Sequence, residues 1–374
     1  MKLRTILKAI LKWTGRLLAV VLVVGFVIVF VAYWRSTNDC DRKTAPPANP
    51  MKAVVYCDYG AANLRLAEVD KPVPNDDQVL IKVRAAAINP YDWHFIEGTP
   101  KIMRLGVGLR KPKVTRIGGD VAGQIEAVGR NVTQFKPGDE VFGICSGSLA
   151  QYCLGRSRLS IKPANLTFEQ AASVPVAGIT ALQGLRDEGK IQVGQRVLIN
   201  GASGGVGTFA VQIAKSFDTE VVGVCSTRNV DLVRSLGADD VIDYTKADFT
   251  ATGPRYDVII DNVGNQPLLR LRRGLRKRGK LVMIGGGGVN DQGLVGPMTR
   301  PLKAMLLSPF MKQKMSMFMA DVNKNDLAFL ADLMQSGKVK PVIDRTYDSL
   351  SKVPEAIAYL EQGHARGKVV VRVD

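Results

Sequence analysis

Hydrophobic and polar positions change rhythm three times along this chain, and each rhythm predicts a different structure. Residues 17–34, "LLAVVLVVGFVIVFVAYW", carry no charge and are bracketed by Arg16 and Arg35. At ~1.5 Å per helical residue the run spans about 27 Å, near a bilayer's hydrocarbon thickness, and so predicts one transmembrane helix. Tyr33 and Trp34 fall where an interfacial aromatic belt would lie. The competing reading is a cleaved signal peptide, but the run is long for one and no convincing small-residue cleavage site follows. "RSTNDCDRKTAPPANP" then reads as a polar, proline-containing linker.

From Met51 the period shortens. "MKAVVYCDYG", "QVLIKVRAAAI" and "VAGQIEAVG" alternate apolar and polar residues or run β-rich between Gly, Pro and Asn-Asp turns, which predicts a β-rich domain to about residue 163. Strands and helices then alternate. "QRVLIN", "EVVGVC", "YDVIID" and "KLVMIGG" read as buried strands; "TFAVQIAKSF", "NVDLVRSLG" and "QPLLRLRRGLRKRG" read as helices between them. That order predicts a parallel, doubly wound sheet and an α/β fold. Near the end, "NDLAFLADLMQSG" and "VPEAIAYLEQG" read as helices and "KVVVRV" as a closing strand. The Met- and Leu-rich stretch 300–319 predicts a core or dimer-interface helix, with a mouth for a lipophilic acceptor as the alternative, so a homodimer is left open.

Composition adds charge and redox constraints. The formal charge is +17, of which residues 1–50 supply +6 through eight basic and two acidic side chains. A basic body could steer a phosphorylated ligand. The cluster Arg270, Arg272, Arg273, Arg276, Lys277, Arg278 and Lys280 lacks interleaved aromatics, so a solvated helix face is expected there, not a nucleic-acid partner. Five cysteines with no C-x-x-C pair argue against a disulfide framework and for a reducing environment.

The strongest local signal is "GASGGVG", residues 201–207, between a strand and a helix. Gly205, Gly207 and Ala210 fit the G-x-G-x-x-A fingerprint, whose glycines let the backbone approach a pyrophosphate at a helix N-terminus. Ser203 can add a hydroxyl. The next strand ends in "VCSTRN", with no carboxylate for ribose hydroxyls and with Arg228 available to a 2′-phosphate, so NADPH is the expected cofactor.

Together, the β-rich first part, the glycine turn, "CSTRNVDLVRSLGADDVIDY" and the terminal "GHARGKVVV" resemble the medium-chain dehydrogenase/reductase superfamily, within it the zinc-free quinone oxidoreductase (zeta-crystallin-like) branch. The resemblance covers residues 51–374 and implies a GroES-like catalytic domain, 51–165 completed by 303–374, around a Rossmann NADPH-binding domain, 166–302. Residues 1–50 stand outside as flank, helix and linker. Carried over by position, the resemblance implies Ser203, Gly204, Gly205 and Val206 at the pyrophosphate, and Ser226, Arg228 and Tyr244 at the 2′-phosphate. It implies Asn262, Gly285 and Gly286 along the cofactor groove, and His364, Arg366 and Lys368 in a tail folding over it; a surface place for His364 is equally open.

Zinc-dependent relatives carry a cysteine where this chain has Asn89, and a Gly-His-Glu where it has Gly119 and Asp120. No metal is expected here. Without one, the easier chemistry is hydride delivery to an already polarised acceptor, a quinone or an α,β-unsaturated carbonyl. By the same resemblance, the stretch "AINPYDWHFIEG" holds the catalytic candidates: it implies Asn89 near the nicotinamide, Tyr91 on the substrate oxygen, and His94 as a proton relay, with water as the rival donor. Tyr91 and Trp93 as core aromatics, and Asp92 as a turn cap, remain open.

An NADPH-dependent quinone or enone reductase on a single-pass membrane anchor is thus the leading expectation. A membrane-tethered NADPH-binding scaffold or redox sensor is the alternative. Flanking charges and the cofactor disagree on which side of the membrane the body would lie. A short-chain-type alcohol dehydrogenase is disfavoured, because no Tyr-x-x-x-Lys pair occurs.

Overall fold

The computed structural model describes residues 2–42, 46–251, 255–285, 299–307 and 312–373. Two six-stranded sheets form its frame. The first orders Ile343–Tyr347, Lys368–Arg372, Val79–Ile88, Asp120–Val128, Glu140–Ser146 and Tyr152–Ile161. Strand Val79–Ile88 also pairs antiparallel with Tyr152–Ile161, which closes four of these strands into a small barrel. The chain's last strand, Lys368–Arg372, joins this sheet beside Val79–Ile88, so the tail returns to the first part of the chain.

The second sheet is wholly parallel. Its spatial order is Lys314–Met317, Leu275–Met283, Tyr256–Asp261, Arg196–Asn200, Glu220–Cys225 and Asp240–Asp243. By chain order among these six strands that is 6-5-4-1-2-3, the Rossmann arrangement. The order reverses between Arg196–Asn200 and Tyr256–Asp261, where their carboxyl ends open a crevice. A continuous apolar core joins the two sheets, running from Ala87, Ala122 and Phe142 through Leu182 and Phe209 to Val258.

Three expectations need correction. "QPLLRLRRGLRKRG" is helical only over Leu268–Gly274; from Leu275 it is already strand, held by parallel pairing to Tyr256–Asp261 and by Arg276 on Asp257 at 2.8 Å. The Met-rich stretch is likewise not one helix: Thr299–Leu307 is helical and Lys314–Met317 is an edge strand, with 308–311 outside the described residues. Among the described residues, no helix is long and apolar enough to cross a membrane. A first helix does run from Lys2 to Trp34. The transmembrane anchor, membrane partner and membrane localisation expected from 17–34 are therefore not retained.

The cysteine reading also fails. Cys40 bonds Cys57, and Cys145 bonds Cys153, with Cα separations of 5.8 and 6.1 Å. Neighbouring strands bring Cys145 and Cys153 together, which linear spacing cannot reveal. The expected linker is in part docked: Asn38 is buried, its amide donates to Cys57 O at 2.7 Å, and Asp41 pairs with Lys111 at 2.5 Å. Cys225 is free and buried, and burial raises its thiol to about 11. A maleimide should label no cysteine in the native chain, Cys225 alone after unfolding without reductant, and all five after reduction. Labelling of Cys40 or Cys153 before reduction would contradict the pairing.

Candidate active site

The crevice where the parallel sheet reverses is walled by two strand ends. Asn200 leads into the glycine turn, where Gly201 takes φ 79°, a left-handed conformation suited to glycine. A Cβ on Gly207 would stand 2.0 Å from Gly201 O, so no side chain fits there. Helix Gly205–Ser216 starts at Gly204, with no side chain capping its first turn. Its leading amides are thus available to an anion. Asn229, which sequence reasoning passed over, steadies this rim: its Nδ2 donates to Ser203 Oγ at 3.0 Å and to Ser226 Oγ at 3.2 Å.

Asp261 ends the opposing strand and is fully buried. It accepts from Asn200 Nδ2 at 2.8 Å, Gly264 N at 3.0 Å and Arg300 Nη2 at 2.8 Å. Asn262 donates to Asn200 O at 3.1 Å, while its Oδ1, like that of Asn229, is buried without a partner among the described residues. A Cβ on Gly285 would lie 2.0 Å from Asn262 O, so the chain here needs glycine. Gly286 lies outside the described residues. An open backbone cradle with two unpartnered amide oxygens fits a dinucleotide. Asp261 and Arg300 have no linear signal; only the fold makes them neighbours.

At the far end of the crevice, Arg228 is exposed and donates to His364 O at 2.8 Å, bridging the parallel sheet and the tail. His364 and Arg366 are exposed, and Arg366 N donates to Asp344 at 3.0 Å. Tyr244 is half exposed beside the end of strand Glu220–Cys225, its N on Cys225 O at 3.0 Å. Asp243 is a carboxylate that the strand-end reading did not count. Hydrogen bonds from Thr227 and Thr245 hold it down to about 2.

Lys368, a cofactor candidate from the sequence, holds its ammonium buried. It donates to Ile88 O at 3.3 Å, to Asn89 Oδ1, and to Asp120 Oδ2 at 3.4 Å. Asn89 Nδ2 donates to Asp120 Oδ2 at 2.9 Å, and Val176 N to Asp120 Oδ1 at 3.0 Å. Burial raises Asp120, opposed by Lys368 and Asn89. Removing one partner of such a pair typically costs about 3–5 kcal/mol, because the other charge is left buried alone. Asp92, also buried, accepts from Asn89 N at 2.8 Å. Burial, reinforced by the Asp120 charge, lifts it to about 7.

Helix Pro90–Glu97 presents Tyr91 to this cluster, and Arg104 closes the helix by donating to Glu97 O at 2.9 Å and Gly98 O at 3.0 Å. A Cβ on Gly119 would lie 2.0 Å from the Tyr91 hydroxyl, so the phenol fills the space a side chain at 119 would need. Burial raises the Tyr91 hydroxyl further. His94 sits apart, its Nδ1 3.0 Å from Thr99 O, and burial lowers it. The cluster therefore gathers Asn89 and Tyr91 with Asp92, Asp120 and Lys368, without placing His94 among them. Among the described residues, no three His, Cys, Asp or Glu are grouped to hold a metal ion.

Comparison with known proteins agrees with this architecture. Residues 75–184 match the alcohol dehydrogenase GroES-like domain family, and residues 236–371 match a family described as zinc-binding dehydrogenase. The chloroplastic quinone-oxidoreductase QR1 of Triphysaria versicolor is 35% identical over 337 residues, covering 86% of this chain and 98% of that protein. The chain belongs to the medium-chain dehydrogenase/reductase superfamily, among the quinone-oxidoreductase-like members. A chloroplastic NADPH-dependent alkenal/one oxidoreductase of Arabidopsis thaliana is 38% identical, over 86% of this chain and 79% of its own. The quinone oxidoreductase structure from Coxiella burnetii superposes with a TM-score of 0.73 at 29% identity, covering 87% of this chain and 100% of that one. The chain is thus an oxidoreductase of the NAD(P)H-dependent, GroES-plus-Rossmann type within this superfamily, acting on a small molecule.

Asp92 gives this site a pH signature. Its folded value of about 7 lies above the unfolded 3.8, so the native state holds a proton that the unfolded chain has released. The group's contribution to stability is complete below the unfolded value and is lost as pH rises toward 7. Asp92→Asn should therefore flatten the fall in Tm between about pH 4 and 7. A variant whose Tm falls as steeply as the wild type's would contradict the buried, proton-holding Asp92.

Proposed function

We propose that this oxidoreductase uses NADPH to deliver hydride to a conjugated carbonyl, a quinone or an α,β-unsaturated aldehyde or ketone. The observation that carries this reading is the donor set at the head of helix Pro90–Glu97. An asparagine amide and a phenol stand beside a buried ammonium that is itself paired with the Asp120 carboxylate. Such a set can orient and hydrogen-bond an acceptor already activated by conjugation. A reduced nicotinamide, when bound, supplies the hydride. The relatives named as quinone and as alkenal/one oxidoreductases support the same acceptor class.

Asn89 and Tyr91 bind the acceptor oxygen in this reading. Water, and not His94, then returns the proton, since burial keeps the imidazole neutral and its Nδ1 is turned to Thr99. Ser203, Gly204, Gly205 and Val206 hold the pyrophosphate. Asn262 and Gly285 line the groove, and His364 and Arg366 border it from the tail. Arg228 with Ser226 and Tyr244 takes the 2′-phosphate, exchanging its contact with His364 O for the anion. Residues 51–165 with 303–374 form the catalytic part, and 166–302 the NADPH-binding part.

The test is NADPH and NADH oxidation by the full chain over a panel of quinones and enones, with and without a chelator. Chelator-resistant turnover preferring NADPH is expected. Arg228→Ala should raise KM for NADPH about tenfold or more, the worth of one charge-assisted contact, while leaving KM for NADH within about twofold. Equal losses with both cofactors would contradict the 2′-phosphate role, and turnover confined to simple alcohols would contradict the acceptor class.

A further inference from the structure

Lys368, Asp120 and Asn89 are 4%, 0% and 2% exposed, and they come together from distant parts of the chain. The three N–H groups of the ammonium meet three oxygens: Ile88 O, Asn89 Oδ1 and Asp120 Oδ2. Asp120 in turn accepts from the Asn89 amide and from Val176 N. Opposite charges thus flank the two ends of one carboxamide. Turning that amide over would set its oxygen against a carboxylate and its amino group against an ammonium, so one orientation survives. In that orientation one Nδ2 N–H goes to Asp120, and no hydrogen bond among the described residues uses the other. The ammonium on Oδ1 also draws the amide toward its charge-separated form, which strengthens the remaining N–H as a donor. The lysine stem runs back to the glycine turn, where a Cβ on Gly205 would lie 3.1 Å from Lys368 Cδ.

We propose that Lys368 and Asp120 are positioning residues that lock the Asn89 carboxamide, leaving one N–H free to donate to the oxygen of the hydride acceptor. Resting on the reductase reading above, this makes Lys368 a spacer between the pyrophosphate turn and the acceptor site. Its stem touches one while its ammonium orients the other. The lock acts on kcat, because the orientation of Asn89 matters to charge developing on the acceptor and not to cofactor binding.

The test uses the full chain with Lys368→Met/Asp120→Asn, Lys368→Arg, Asn89→Ala and the triple combination of the first with Asn89→Ala. The double variant removes both charges together, so neither is left buried alone. It should bind NADPH within about threefold of wild type yet lose about 30-fold in kcat, as should Asn89→Ala; the triple should lose no more, since all act through one amide. Lys368→Arg, which keeps the charge, should recover at least about tenfold over the double variant. A double variant that keeps wild-type kcat, or losses that multiply in the triple, would overturn the lock. If the double variant fails to fold, Lys368→Arg with and without Asn89→Ala repeats the additivity test. If the wild type turns over no acceptor, the reductase reading falls, and the lock is read from the nicotinamide emission of bound NADPH. Emission altered equally by the double variant and Asn89→Ala supports the lock; emission unchanged in both overturns it.

Discussion

A single buried ammonium holds the working parts of this chain in register. Lys368 enters on the last strand, yet its contacts lie at the start of helix Pro90–Glu97 and at the start of strand Asp120–Val128. Asp120 passes the connection on to helix Pro175–Gln183 through the Val176 amide, and the lysine stem reaches the glycine turn at Gly205. The tail strand, the barrel, helix Pro90–Glu97 and the glycine turn therefore meet around one charge. A lysine free in water would be indifferent to this geometry. Removed from water, it must satisfy every donor, and that demand fixes the groups around it.

The same confinement sets the chemistry. Two carboxyl groups, Asp92 and Asp120, share a dry pocket with one ammonium, and burial raises both. Asp92 is lifted to about 7 by burial and the Asp120 charge. Glycine at 119 makes room for the Tyr91 hydroxyl. In the proposed function, these oriented groups polarise the carbonyl of the acceptor.

Much of this frame could be read from the chain because it depends on local periodicity. Alternating runs became barrel strands, and the glycine turn stands between a strand and a helix at the crevice. Where pattern and tertiary pairing disagreed, pairing prevailed: "LRKRG" carries too many charges to show a strand's period, but parallel pairing and Asp257 hold it in the sheet. The disulfides were illegible because tertiary contacts create them across 17 and 8 residues with no motif, adjacent strands in the case of Cys145 and Cys153. The lock was less legible still, with Lys368 and Asp120 248 residues apart and Asn89 and Asp120 31 apart. Sequence could supply Asn89, Tyr91 and Lys368 as candidates. It could not show that Lys368 pairs with Asn89 and Asp120, because that depends on where two buried charges find each other.

The most direct measurement is a crystal structure of the full chain with NADP⁺. This account expects the Lys368 ammonium to stay on Asn89 and Asp120, with the nicotinamide beside the Asn89 amide and the 2′-phosphate on Arg228. A structure with the Lys368 ammonium on the pyrophosphate and the Asn89 amide turned free would contradict it.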